Sequence, residues 1–185
     1  MRVLVGCEFT GVVREAFTAL GHDAWSCDIL QSEQAGQHLQ CDVRTILDDG
    51  WDLAIFHPPC TYLCGSGARW WAARQQEQAA ALQFVQTLLD APIPRIALEN
   101  PVGKISRAIC RPTQIIQPWE FGHTESKKTC LWLKNLPLLQ ATCVMAQRDQ
   151  KIWRMGPSKT RSQDRSRTYY GIALAMAQQW SQVPL

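Results

Sequence analysis

The run Trp51-Asp52-Leu53-Ala54-Ile55-Phe56 stops at His57-Pro58-Pro59-Cys60, and this junction constrains the chain more than any other stretch. The apolar residues read as a buried strand. Two successive prolines then fix the backbone and withhold the N–H groups that a strand needs, so the strand ends and a thiol stands immediately beyond it. A loop this rigid can aim a nucleophile.

The rest of the chain repeats that design. Val3-Leu4-Val5 reads as a short strand, residues 6–11 as a glycine-containing turn, and Val12 to Phe17 as a helix that Gly21 closes. His22 to Asp28 reads as a strand ending on an acid, and Cys41-Asp42-Val43 lies in the next turn. A long helix is predicted from Ala72 to about Leu89, with Phe84, Leu88 and Leu89 on its apolar side, stopped by Pro92 and Pro94. Ile96-Ala97-Leu98 then forms a strand ending at Glu99-Asn100-Pro101, and Thr129 to Leu133 a later one. Strands alternating with helices predict an α/β fold, a Rossmann-like doubly wound and mostly parallel sheet. Ligands of such sheets sit beyond the carboxyl ends of the strands, and Glu8, Asp28, Asp42, Cys60 and Glu99 all fall there.

With 185 residues, a single domain spanning 1–185 is the expectation. No apolar run approaches the roughly 18 residues of a membrane span. The opening strand enters a glycine turn without the apolar segment of a secretory signal, so a cytoplasmic protein is expected. The eight cysteines include no CxxC pair, and His57, Cys60 and Cys64 lack a partner pair at zinc-site spacing, so reduced thiols and no metal are expected. The net charge of +3 is modest but uneven. Arg148, Lys151, Arg154, Lys159, Arg161, Arg165 and Arg167 crowd one stretch against Asp149 and Asp164, and that stretch could follow a phosphate backbone or be a solvated surface loop.

Taken in order, Gly11-Val12-Val13-Arg14, Pro58-Pro59-Cys60, Glu99-Asn100-Pro101 and Phe121-Gly122 through Leu131-Trp132-Leu133 resemble the motifs of the cytosine-C5 DNA methyltransferases, in a compact form similar to phage and prophage methylase-like proteins. The resemblance covers about three quarters of the chain. It implies the S-adenosylmethionine-dependent methyltransferase fold, with Gly6, Cys7, Glu8, Phe9, Gly11, Asp28, Asp42 and Pro58 around the cofactor. Tyr170 to Trp180 would be the terminal helix packed beside that site. The family's Phe-x-Gly-x-Gly turn is here Cys7-Glu8-Phe9-Thr10-Gly11, and its Gln-x-Arg-x-Arg signature is Glu125-Ser126-Lys127-Lys128-Thr129, so Lys127 inherits the cationic role.

The implied chemistry suits these residue types. Cytosine C5 is a poor nucleophile until something adds to C6, and a thiolate is suited to that reversible addition. Cys60 would attack C6, a protonated Glu99 would contact N3, and Lys127 or Thr129 would lie near O2. Burial would help Glu99 keep its proton. The target base must be flipped out or unpaired, and Tyr62, Trp70 and Trp71 could stack on bases or pack the core. The family's sizeable recognition region shrinks here to about residues 134–167, a minimal one, in which Arg154, Lys159, Arg161, Arg165 and Arg167 would hold DNA phosphates. Two further readings stay open: a carboxylated S-adenosylmethionine or a free cytosine nucleotide in the same site, and a catalytically silent DNA-binding protein.

Overall fold

The computed structural model describes residues 1–150, 154–156 and 161–182. Seven strands form one sheet: β1 (Arg2–Gly6), β2 (Asp23–Asp28), β3 (His38–Gln40), β4 (Leu53–Phe56), β5 (Arg95–Pro101), β6 (Gln114–Ile116) and β7 (Thr129–Lys134). Their spatial order is β3-β2-β1-β4-β5-β7-β6. The first five are parallel, and β7 runs antiparallel to both β5 and β6. This is the Rossmann-like, mostly parallel sheet that the strand–helix alternation implies.

Each central strand is apolar on both faces because helices cover both. Val3, Val5, Leu53, Ile55, Ala97 and Leu131 point to one side, where α1 (Val12–Thr18) and α5 (Tyr170–Trp180) supply Val13, Phe17, Ile172, Met176 and Trp180. Leu4, Ala54, Phe56, Ile96, Leu98, Cys130 and Trp132 point to the other, against Val85 and Leu88 of α2 (Gln75–Leu89) and Ile105 of α3 (Ile105–Ala108). Period-2 alternation thus survives inside runs that look uniformly hydrophobic. A short helix, α4 (Arg161–Ser166), precedes α5.

Two details depart from expectation. The long helix starts at Gln75 rather than Ala72, because residues Gly65–Ala73 wind as a 3-10 helix and Arg74, at φ −130° and ψ 41°, breaks the turn between them. Between β2 and β3 the described chain forms a loop, not a helix, and it is held by Arg14. The Arg14 side chain is fully buried and donates to Ser26 Oγ (2.9 Å), the Gln34 carbonyl (3.2 Å) and the Ala35 carbonyl (2.9 Å). A guanidinium with five donors can satisfy a loop's inward carbonyls where a helix would have satisfied its own. Among the described residues, no helix is long and apolar enough to cross a membrane.

Candidate active site

The sheet's order reverses between β1 and β4, which opens a crevice at the carboxyl ends of the strands. β1 ends at Gly6, where a Cβ would lie 2.6 Å from Phe56 Cδ1 and 2.8 Å from Val43 Cγ2, so only glycine lets the backbone through. Cys7 follows in the left-handed region, at φ 59°. The Glu8 carboxylate turns inward instead of facing the crevice. It accepts from the backbone N–H of Val13 (2.7 Å) and Arg14 (3.2 Å), and these bonds, which close the first turn of α1, offset its burial.

Asp28 and Asp42 stand at the carboxyl ends of β2 and β3. Asp28 accepts from Leu30 N–H (2.9 Å), and Asp42 is forked by Arg44, with Nε at 3.0 Å and 3.1 Å. The Arg44 side chain holds the Asp42 carboxyl below its ordinary value. Burial, and after it the charges of Asp28, Cys27 and Asp42, push the Cys7 thiol well above its usual range, so both carboxylates bear on the β1 turn. Ile29, 73 % exposed, follows Asp28 directly. Acceptors at two strand ends beside an exposed apolar side chain fit a nucleoside, whose hydroxyls and amino group donate and whose base offers flat faces. The residues present therefore fit the adenosine of S-adenosylmethionine.

The reactive side chains converge at the ends of β4 and β5. Asn100 Nδ2 donates to the Pro58 carbonyl (2.8 Å) and ties the two strand ends together. Beside it, His57 Nδ1 lies 3.2 Å from Glu99 Oε2. Both side chains are largely buried, and His57 Nε2 has no partner among the described residues. Burial raises the Glu99 carboxyl, but the His57 hydrogen bond and the Lys127 charge outweigh it, and the net direction is downward. The partners of Glu99 thus favour its anion, in the opposite direction to burial, on which the expectation of a protonated Glu99 rested.

Lys127 Nζ donates to the Arg165 carbonyl (2.9 Å) and sits 5.9 Å from the centre of the Tyr169 ring. Buried Thr129 donates its hydroxyl to the Lys127 carbonyl (3.1 Å). With His57, Glu99, Arg167 and Tyr169 these two residues line a cavity of about 10 Å³, the size of one water.

Cys60 opens a turn in which its carbonyl accepts from the N–H of Leu63 (3.0 Å) and Cys64 (2.9 Å). This brings two thiols together. The hydrogen bond to Cys64, then burial, raise Cys60, while the same bond, with help from the Ser66 hydroxyl 3.1 Å away, lowers Cys64. The contact between the two thiols thus favours the thiolate on Cys64 and the proton on Cys60. Glu99 and Lys127 both act electrostatically on Cys60, which places the three in one field.

Among the described residues of the basic stretch, Arg161 and Arg167 bond within the fold through their side chains. Arg167 makes a two-pronged bond to Glu33 (2.7 and 2.8 Å), Arg161 Nε donates to the Met155 carbonyl (3.0 Å), and the Arg165 carbonyl serves Lys127. Arg154 is exposed, and Lys159 lies outside the described residues. The sequence brings His57 and Cys64 forward only as possible zinc ligands, although His57 directly precedes Pro58 and Cys64 stands one helical turn after Cys60. Among the described residues no group of three or more His, Cys, Asp or Glu side chains could hold a metal ion.

The strand order and the crevice at its switch point define the chain as a Rossmann-like α/β protein. Its fold is similar to that of an Escherichia coli protein, a candidate DNA modification methyltransferase encoded within a prophage, with a TM-score of 0.50 and 14 % sequence identity. The match covers 85 % of this chain, and this chain spans 55 % of that protein, about half its length. No family model and no curated protein matches the sequence.

Proposed function

We propose that this chain is a DNA-modifying transferase that moves a methyl group from S-adenosylmethionine to C5 of cytosine, with Cys60 as the nucleophile. One observation carries the reading: a thiol on a proline-fixed turn at the end of β4 shares its field with a buried carboxylate at the end of β5 and an ammonium beside β7. A methyltransferase fold in the Escherichia coli protein supports it, as does the order of the motifs.

The residues divide the work as follows. Cys60 passes its proton to Cys64 as its sulfur bonds to C6, and the displaced ring electrons move toward N3 and O2. Glu99, hydrogen-bonded to His57, would take up a proton from solvent and pass it to N3. Lys127 offsets charge near O2. Asn100 keeps the Cys60 loop and Glu99 in register through Pro58. When bound, S-adenosylmethionine supplies an electrophilic methyl group, and Asp28 and Asp42 would hold its adenosine. Loss of the C5 proton to solvent, with N3 giving its proton back to Glu99, then expels the Cys60 sulfur as thiolate.

Nucleoside mass spectrometry on DNA from cells expressing the protein or its Cys60→Ala variant tests this. A modified cytosine present with the wild type and lost in the variant supports the reading, and its added mass distinguishes methyl from carboxymethyl. Unchanged cytosine in both overturns it.

A further inference from the structure

Beyond the nucleophile turn, the chain carries cations and rings with no acid among them. Residues 58–76 contain Arg69 and Arg74, residues 101–119 contain Lys104, Arg107 and Arg111, and neither stretch has an aspartate or a glutamate. The two sets of cations are far apart along the chain, yet the fold joins the stretches that carry them. Gly65 N–H donates to the Val102 carbonyl (2.9 Å), Lys104 N–H donates to the Leu63 carbonyl (2.7 Å), and Cys64 bridges Gly103 in antiparallel fashion. The junction demands glycine at 103, where a Cβ would lie 2.0 Å from the Leu63 carbonyl oxygen.

Cations and rings interleave on this surface. Arg69 lies 5.1 Å from the centre of the Trp70 ring, Lys104 Nζ 5.0 Å from Trp71, and Arg74 5.6 Å from Tyr62. Trp70 is 55 % exposed, an unusual state for so large a ring and one that asks for a partner. Among the described residues none of the five cations forms an ion pair, whereas Arg167 of the later basic stretch is bound to Glu33.

We propose that this surface binds an unpaired DNA strand, stacking a base on Trp70 and taking the flanking phosphates on Arg69, Arg74 and Lys104. Cations without ion-pair partners fit a polyanion, and an exposed ring flanked by cations fits a stacked base. A duplex hides its ring faces in its own stack, so the unpaired strand is the better match. The surface begins at the turn that carries Cys60, so a strand lying on it leads a neighbouring base toward the thiol. The proposal rests on the reading that DNA is the substrate.

Equilibrium binding of fluorescent oligonucleotides, single-stranded and duplex of one sequence, tests the surface without donor or turnover. The wild type should favour the single strand by about tenfold or more. Trp70→Ala should weaken that binding by about tenfold, and Trp70→Phe should restore most of it. Arg69→Ala with Arg74→Ala should flatten the dependence of log affinity on log salt by about 0.7 for each phosphate no longer neutralised. Arg2→Ala, exposed at the opposite end of the sheet, should change neither. If Trp70→Ala and the arginine variants bind like the wild type, or if duplex binds as well as single strand, the proposal is overturned, whether or not cytosine is modified. If the surface binds single strands as stated while cytosine stays unmodified, the proposal stands and the transfer chemistry falls.

Discussion

His57 and Glu99 join the ends of two neighbouring strands through a single contact, Nδ1 to Oε2 at 3.2 Å, in a place where neither side chain has much access to water. The contact sets the charge of Glu99. Its carboxyl sits below the ordinary 4.5 even though burial works the other way. A depressed carboxylate stabilises the folded chain fully above its unfolded value, and that contribution disappears as pH falls through the folded value. His57→Phe should therefore raise the Glu99 value, measurable by carbon NMR of the carboxyl. It should destabilise the protein by about 3 kcal/mol near pH 7, where a buried anion loses its hydrogen-bond partner, and by less as pH falls through the Glu99 value and the carboxyl gains its proton. An unchanged Glu99 titration would refute the coupling.

The thiol pair makes a second prediction. With the thiolate favoured on Cys64 and the proton on Cys60, iodoacetamide at pH 7 should alkylate Cys64 before Cys60, as peptide mass spectrometry would show. Cys64→Ser removes the proton acceptor. Transfer should slow by about a hundredfold or more and recover in part as pH rises, whereas Cys60→Ser should abolish it at every pH.

Arg14 is expected to be the costliest polar residue to lose outside the site. Arg14→Met leaves the Gln34 and Ala35 carbonyls facing inward without a donor, at about 3 kcal/mol or more. The urea midpoint should drop with little change in slope. Glu33→Ala, which removes only the exposed pair to Arg167, should cost less than about 1 kcal/mol.

Gly171 marks where α5 crosses the 121–123 turn. A Cβ there would lie 1.9 Å from the Phe121 carbonyl oxygen, which is backbone and cannot rotate away. Gly171→Ala should displace the helix, break the bond from Gly171 N–H to His123 Nε2 (3.0 Å), and cost about 1–3 kcal/mol in thermal or urea unfolding.

The central strands and the main helices were legible because burial on both faces demands long apolar runs, and 3–5, 53–56 and 96–98 have them. β3 and β6 were not legible. Each has three residues and a mixed composition, and each exists because a neighbouring strand offers it hydrogen bonds, a reason absent from its own side chains. Cys60 and Glu99 could be picked out as candidates by their positions after strands, but the ionisation of Glu99 could not. Burial was visible in prospect; His57 and Lys127, which outweigh it, reach Glu99 only through the sheet.

Local chemistry in the sequence was enough to determine where strands end and which polar groups follow them, since prolines, glycines and apolar periodicity act on their immediate neighbours. Partnership was decided by the tertiary structure alone. It brought Cys64 back toward Cys60 in one turn, committed Glu8 to a helix turn and Arg167 to Glu33, and joined residues 63–65 to 102–104. The physical reason is that a hydrogen bond or an ion pair depends on distances of a few ångströms between residues far apart in the chain, and only the packed sheet sets those distances.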